Sequence, residues 1–309
     1  MTSSDVKAFL RGLGLLEAGI AALPLAAPEE EKQICPLASG QGADRYDLEA
    51  LLPGCQAAIV ILFPYYNGSP QDYNISLYAQ GQDYHLALRA YLAQLQQFLE
   101  ERCPGSSHYA CVDTLPLADR WLAYEAGLGF VGDNDNFINR RYGSYCYIGS
   151  LLTTIPLAGD APDDGECRHC GACRQCCPGQ CLDEQGFHYE RCKSFLTQKK
   201  GSLTLPEIEI LQKTPLIFGC DECQRVCPHN AGLTPAALPE FRQDLLPRLT
   251  ARDLQDLSNR QFRAAYGSRA FAWRGKAILL RNLEYCSHGA SKALDQAGQG
   301  DDEAHGNNH

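Results

Sequence analysis

The placement of the cysteines constrains this chain more than any other feature of its sequence. Ten of its 16 cysteines lie between Cys167 and Cys227, within 309 residues. The N-terminus has neither the basic start nor the apolar run of a secretory signal, so we expect a cytoplasmic protein whose thiols stay reduced. The longest apolar run, residues 57–63, is too short to span a bilayer. Metal binding therefore explains the cysteines better than a disulfide framework does.

The first cysteine motif consists of Cys167, Cys170, Cys173 and Cys177, and Pro178 follows it directly. Its spacing is that of bacterial two-cluster ferredoxins, in which three cysteines hold one 4Fe–4S cluster and the fourth binds the other cluster. A zinc site is the alternative, because zinc needs only four ligands of this kind. The complete run followed by proline favours iron–sulfur clusters.

The second motif consists of Cys220, Cys223 and Cys227, followed by Pro228. It lacks a leading cysteine, because Ile217 occupies that position. The cross-over rule assigns its last cysteine to the first cluster. The predicted ligands of the first cluster are therefore Cys167, Cys170, Cys173 and Cys227.

The second cluster needs one more ligand than the cross-over rule supplies. The three ligands that the rule assigns to it are Cys177, Cys220 and Cys223. We choose Cys192 as the fourth, because we expect it to open a helix. Cys176 lies beside another ligand and should point elsewhere, so we interpret Cys176 and Cys181 as small buried side chains.

Hydrophobic periodicity predicts an α/β domain over residues 1–155. Ser4 is predicted to cap a first helix that ends near Leu15. Further elements are predicted as a buried strand at residues 57–63, a long amphipathic helix at about 84–101, a strand at 109–113, a helix at about 117–126 and a strand at 145–152. Two clusters side by side form an electron relay, and we expect this domain to hold the group that receives the electrons.

The rest of the chain divides by composition. Residues 156–166 are rich in Pro, Gly and Asp and open a ferredoxin-like two-cluster segment, residues 156–232. A short α-helical C-terminal region is predicted at 233–295. Residues 296–309 have almost no apolar content and are predicted to be disordered.

The charge distribution points to one local basic surface. A net charge of −10 argues against a surface that binds nucleic acid all over. Residues 257–282 nevertheless contain no acidic residue, and Phe271 and Trp273 lie among their cations. These cations are Arg260, Arg263, Arg269, Arg274, Lys276 and Arg281. Such a stretch suits an RNA loop, whose bases stack and whose phosphates need cations, and a solvated helix face is the alternative.

Several motifs together resemble the epoxyqueuosine reductase family. The similar stretches are NISLYAQGQDYH at residues 74–85, VDT at 112–114, EAGLGFVG at 125–132, GSY at 143–145, the cysteine segment with RC at 191–192, SFLT at 194–197 and GCDECQ at 219–224, and the block from residue 257 to residue 282. The resemblance covers nearly the whole chain. It implies an enzyme that removes the epoxide oxygen of epoxyqueuosine at the tRNA wobble position.

The resemblance also implies cofactors, partners and site residues. The family uses cobalamin in the N-terminal domain, which is reduced through two 4Fe–4S clusters. The aspartate of its VDT motif is the proton donor and corresponds to Asp113. The cobalamin contacts carried over are Arg45, Ser76, Asp113 and Ser194, with backbone contacts near Phe137, Ile148 and Leu151. The expected partners are the tRNA anticodon loop and an electron donor such as ferredoxin or flavodoxin, with no membrane.

The chemistry of epoxide opening suits an acid at Asp113. An alkoxide leaves poorly unless it is protonated. Asp113 follows an apolar strand, so we expect burial to raise its pKa and hold its proton near neutrality. The alternative is that Asp113 caps the next helix. His85 is a further candidate for cofactor or substrate contact, with packing as the alternative.

The sequence departs from the family at two places. Phe130 and Asp133 occupy the positions of a family Trp and Lys, and the chain is interpreted as a short member without the C-terminal helical repeats. These departures keep a second hypothesis open, a cobalamin-dependent reductase of a small molecule similar to the reductive dehalogenases. A plain ferredoxin-like electron carrier is the third hypothesis, although it assigns no function to the α/β domain.

Overall fold

The computed structural model describes residues 1–28, 35, 37, 42–68, 70 and 72–286. Among these residues the strands are β1 (Ala18–Ala22), β2 (Ala57–Pro64), β3 (His108–Cys111), β4 (Phe130–Val131), β5 (Phe137–Ile138), β6 (Cys146–Thr153), β7 (Leu182–Asp183) and β8 (Gly186–Phe187). The helices are α1 (Ser3–Gly12), α2 (Leu48–Leu51), α3 (Tyr84–Arg102), α4 (Asp119–Glu125), α5 (Ala172–Cys176), α6 (Lys193–Leu196), α7 (Leu205–Gln212), α8 (Glu222–Arg225), α9 (Ala251–Leu254) and α10 (Asn259–Tyr266), and residues 276–286 are also helical. The predicted disordered tail, residues 296–309, lies outside the described residues.

The central sheet has the strand order β1-β2-β6-β3. All eight residues of β2 are buried, because α1 and α3 cover one face of the strand and α2 and α4 cover the other. Ile59 and Ile61 face the first of these layers, whereas Val60 and Leu62 face the second. The predicted strands at 57–63 and 145–152 and the long helix at 84–101 are therefore confirmed. Alternating elements usually give a parallel sheet, yet every pairing here is antiparallel.

The first helix differs from its prediction at its start. Thr2, rather than Ser4, is the N-cap, and its hydroxyl accepts a hydrogen bond from the amide of Asp5. The Asp5 carboxylate in turn accepts from the backbone amide of Thr2 at 2.9 Å. This reciprocal pair satisfies two otherwise unpaired amides, so the helix begins at Ser3, two residues earlier than an N-cap at Ser4 would allow.

The cysteine-rich segment and the C-terminal region share one hydrophobic core. Leu196, Leu211 and Phe218 from the former pack with Phe262 and Phe271 from the latter. The fully buried side chain of Asn282 joins the two, since its amide donates to the carbonyls of Thr197 and Ile217 at 2.8 Å each. The C-terminal region is thus built onto the cluster segment. Among the described residues, no helix is both long and apolar enough to cross a bilayer.

Candidate active site and cluster sites

The structure gathers the four cysteines predicted for the first cluster around one cavity. The lining thiols are Cys167, Cys170, Cys173 and Cys227. Three come from the first motif, and the fourth, Cys227, lies two residues after α8, which packs against α5. A left-handed Gly171 (φ +73°) turns the chain into α5 and allows the motif to wrap around the cavity. Four thiols around a single cavity are the donor set that a 4Fe–4S cluster requires.

The cysteines predicted for the second cluster also lie close to one another. Burial raises the pKa of Cys223 well above its usual value, and nearby Cys220, Cys192 and Cys177 raise it further. Burial likewise raises the pKa of Cys220 to about 12, with Cys192 adding to the effect. Thiols whose charges act on one another in this way lie close together, and a metal cluster binds such thiols as thiolates. These four residues therefore also fit a cluster.

Cys181 lies in the second group, although we predicted no ligand role for it. Its Sγ is 3.2 Å from Sγ of Cys177, and both side chains are buried. It is also in hydrogen-bond contact with Cys192. Cys181 is buried, as we predicted. Its sulfur, however, contacts two predicted cluster ligands, which the prediction did not include.

Asp133 lies at the first cluster cavity. Its carboxylate is paired with Nδ1 of His169 at 2.9 Å, and Arg174 lies 3.9 Å away. Ligand atoms of Asp133, His169 and Cys167 lie within 4.8 Å of one another, so this trio overlaps the cluster ligands. The anion that stands in place of the family cation therefore lies beside the predicted ligands of the first cluster.

Asp113 stands at a sharp turn directly after β3. It has a left-handed backbone (φ +49°), and its side chain is 57% exposed. The hydroxyl of Tyr84 donates a hydrogen bond to its carboxylate. His85 approaches the same oxygen, with Nε2 3.4 Å from Oδ2, and its Nδ1 lies 2.8 Å from Asp83. The start of α3 thus brings a phenol and an imidazole to the predicted acid.

The expected direction of the Asp113 pKa is wrong. Partial burial raises the pKa, but the contacts with His85 and Tyr84 and the charge of Arg45 outweigh it, so the net shift is downward. Desolvation lowers the pKa of His85, yet Asp113 and Asp83 raise it to about 9. At neutral pH the proton of this pair therefore resides on the imidazole, and Asp113 is ionised.

A second carboxylate near Asp113 was missed by the sequence analysis. Asp119 begins α4, and burial raises its pKa to about 7, with the charge of Asp113 adding to the shift and Arg45 opposing it. Its Oδ1 is buried without a hydrogen-bond partner. An aspartate in the first turn of a helix ordinarily complements the helix dipole, so the sequence carried no signal that set it apart.

Arg45 fits a cofactor contact. Its Nη2 donates to the carbonyl of Leu117 at 3.0 Å, while its Nε is buried without a partner. Guanidinium donors bind the amide and phosphate oxygens that cobalamin carries. The short strand β3 pairs with residues 150–153 of β6 only, which leaves the β6 edge at the partly exposed Ile148 beside this site.

The other predicted cobalamin contacts lie in varied surroundings. Ser76 is fully buried, and its hydroxyl donates to Asp221, next to the second cluster motif. Ser194 is half-buried on α6, two residues after Cys192. Phe137 is buried on the α4 side of the sheet. Leu151 is buried on the opposite side and is paired with both β2 and β3, so the structure does not bring it to Ile148 and Phe137.

Comparisons with known proteins define the class. Residues 166–230 match a family model described as a 4Fe-4S double cluster binding domain. Residues 45–114 match the model of epoxyqueuosine reductase QueG, DUF1730. An N-terminal α/β domain is thus joined to a double-cluster segment, and the chain is an iron–sulfur oxidoreductase.

The relatives identify the family. The chain is 34% identical over 302 residues to epoxyqueuosine reductase of Bacillus cereus, covering 90% of this chain and 78% of that protein. It is 40% identical over 206 residues to the Bacillus anthracis enzyme, covering 65% of this chain and 53% of that protein. A crystal structure of epoxyqueuosine reductase with an epoxyqueuosine-modified tRNA-Tyr stem loop has a TM-score of 0.81 at 26% identity, covering 94% of this chain and 82% of that one. This chain belongs to the epoxyqueuosine reductase family.

Proposed function

We propose that this protein reduces epoxyqueuosine to queuosine in tRNA, with Asp113 as the group that delivers a proton to the departing oxygen. Family membership supports the substrate, and a similar solved structure holds a modified tRNA stem loop. The observation that carries the proposal is the exposed carboxylate of Asp113, held by Tyr84 and His85 at the end of β3. A carboxylate in such a position can reach a bound nucleoside.

The reaction needs two electrons and two protons. The two carbon–oxygen bonds of the oxirane break, a carbon–carbon double bond forms and the oxygen leaves as water. A ferredoxin or flavodoxin would supply the electrons singly, and the two cysteine clusters would relay them. Bound cobalamin would supply a low-valent cobalt as the immediate reductant. Arg45, Ser194 and the open β6 edge at Ile148 would hold it in place.

The protons come from groups around Asp113. Asp113 is ionised at neutral pH, so the proton that it delivers must come from a neighbouring group. His85 holds one at neutral pH, and Nε2 is the ring atom that faces Asp113. Asp119, with a pKa of about 7, is a second source near the same carboxylate. His85 would therefore pass its proton to Asp113 as Asp113 protonates the departing oxygen, because the strongly basic alkoxide drives the transfer.

Only some of the cations in residues 257–282 are available to bind tRNA. Arg269 donates to the carbonyl of Gln80, Lys276 to that of Leu257 and Arg281 to those of Lys199 and Gly201. These three cations are therefore part of the scaffold. Arg260 and Arg263 on α10 are exposed. Trp273 is also exposed and is stacked by the guanidinium of Arg274 at 3.7 Å. We propose that these four side chains contact the anticodon stem loop.

The function is tested by incubating epoxyqueuosine-containing tRNA with anaerobically reconstituted protein, cobalamin and a strong reductant. Mass spectrometry of the digested nucleosides should show queuosine. Absence of queuosine, despite intact clusters and bound cobalamin, would overturn the proposed substrate.

A further inference from the structure

At the second cluster site the thiols of Cys177, Cys181 and Cys192 lie in contact, although only Cys177 and Cys192 are predicted ligands. Sγ of Cys181 lies 3.2 Å from Sγ of Cys177 and also contacts Cys192. The side chain of Cys181 is 3% exposed, so solvent does not separate it from its neighbours. Cys181 is not among the four predicted ligands of this cluster, and the proposed reaction does not use its thiol.

The local backbone fixes this arrangement. Residues 177–181 form a tight turn in which Gln180 adopts a left-handed conformation (φ +50°). The amide of Cys181 then donates to Sγ of Cys177 at 3.4 Å. A Cβ at Gly179 would lie 1.7 Å from the carbonyl oxygen of Arg191, so only glycine lets the turn pack against the residue before Cys192. The amide of His188 holds the Cys181 carbonyl at 2.8 Å.

We propose that Cys181 is a reserve ligand of the second 4Fe–4S cluster. Its sulfur binds the iron that Cys177 normally holds when the sulfur of Cys177 no longer does so. Metal–thiolate bonds are about 2.3 Å long. Because Sγ of Cys181 lies 3.2 Å from Sγ of Cys177, it would move by about the length of one such bond to reach the iron that Cys177 binds. The iron–sulfur bond to Cys177 breaks and one to Cys181 forms, while the Cys181 thiol gives up its proton and the freed Cys177 thiolate takes one up. The number of thiolate ligands and the charge of the cluster stay unchanged.

Cys176 is the matched comparison, because it is adjacent to Cys177 in sequence. Its thiol donates to the carbonyl oxygen of Cys173 at 3.5 Å, within its own helix. Its sulfur therefore contacts its own helix, whereas the sulfur of Cys181 contacts that of Cys177. Sequence proximity favours Cys176 as the substitute, whereas the structure favours Cys181.

Iron analysis of reconstituted variants tests the reserve ligand. The set is wild type, Cys177→Ala, Cys177→Ala/Cys181→Ala and Cys177→Ala/Cys176→Ala, each measured for iron per chain and by EPR. We expect about eight irons in all of them except Cys177→Ala/Cys181→Ala, which should fall to about four. The EPR signal of the first cluster reports folding, because other cysteines hold it. Cys177→Gly, which also removes the ligand atom, provides the same comparison if Cys177→Ala does not fold.

Two results would overturn the proposal. One is a Cys177→Ala chain that holds only about four irons while its first cluster is intact. The other is full iron content in Cys177→Ala/Cys181→Ala. The inference rests on the two clusters of the proposed function, but not on its substrate. Failure to reduce epoxyqueuosine would leave these iron counts unaffected, so the two failures are distinguishable.

Discussion

Nε2 of His85 lies 3.4 Å from Oδ2 of Asp113, and Nδ1 of the same ring lies 2.8 Å from Asp83. The imidazole is thus held between two carboxylates and keeps its proton to a pH of about 9. At neutral pH the protonated ring of His85 therefore lies next to the ionised carboxylate of Asp113.

Removal of the imidazole should slow the reaction without displacing the acid. In His85→Gln the neutral amide cannot pass a proton to Asp113, so we expect turnover to fall about tenfold or more at pH 7. The fall should be mainly in kcat, and the activity should recover partly at low pH, where Asp113 takes protons from solvent. The rate of queuosine formation between pH 5 and pH 9 measures both effects. An unchanged pH profile would show that His85 only packs against Tyr84.

The same pair makes a pH-dependent contribution to stability. The pKa of His85 is raised above its usual value of 6.5 to about 9, so its stabilisation is complete below pH 6.5 and is lost as the pH rises through about 9. The difference in free energy of unfolding between wild type and His85→Gln should therefore shrink between these pH values. Urea denaturation at pH 6.5 and pH 9.5 measures it. A difference that stays constant or grows would contradict the assigned ion pairs.

Replacement of Asp133 should change the first cluster. A reduced cluster carries one more negative charge, so a nearby carboxylate disfavours reduction and a cation favours it. We expect Asp133→Lys to raise the reduction potential of the first cluster and Asp133→Asn to raise it less. Redox titration followed by EPR separates this effect from the second cluster. A lower potential in Asp133→Lys would contradict the location of Asp133 beside the first cluster.

Two exposed arginines on α10 should contribute to tRNA affinity through phosphates. In Arg260→Glu/Arg263→Glu we expect weaker tRNA binding and a salt dependence reduced by about two phosphate contacts. The slope of log affinity against log salt concentration measures this change. Arg11→Glu, at an exposed arginine of α1, is the control that matches the charge change of each single variant, Arg260→Glu and Arg263→Glu, and should bind normally. Equal loss in the control and in the single variants would point to net charge rather than to this surface.

The buried amide of Asn282 should hold the C-terminal region in place. Asn282→Ala removes two hydrogen bonds to the carbonyls of Thr197 and Ile217 and leaves both carbonyls buried. We expect a loss of about 2–4 kcal/mol in the free energy of unfolding. Urea denaturation followed by circular dichroism measures it. A loss below about 0.5 kcal/mol, as is usual for surface substitutions, would contradict this role.

The features that sequence analysis predicted are those encoded within short stretches. The buried strand at residues 57–63 is a continuous apolar run, and the spacing of the cysteines requires no knowledge of distant residues. Strand β1 (Ala18–Ala22) was not predicted, because short Ala- and Gly-containing runs have little strand preference of their own. It is a strand because it pairs with β2.

The features that could not be predicted depend on residues that meet only in the folded chain. The pKa of Asp113 is lowered by Tyr84 and His85, which are about 30 residues earlier in the chain and arrive at the start of α3. The surroundings of Cys181 likewise depend on how the turn after Cys177 packs against the carbonyl of Arg191. The internal roles of Arg269 and Arg281 follow from carbonyls supplied by distant loops.

The central claim is that Asp113 delivers the proton during reduction of epoxyqueuosine in tRNA. Its most direct test is the single-turnover rate of queuosine formation by Asp113→Asn compared with wild type, at equal iron content and equal cobalamin binding. Asparagine retains the shape of the side chain but cannot donate the proton, so we expect the rate to fall by at least about 100-fold. A rate within about twofold of wild type would contradict the claim and assign the proton to another group, with Asp119 the first to examine.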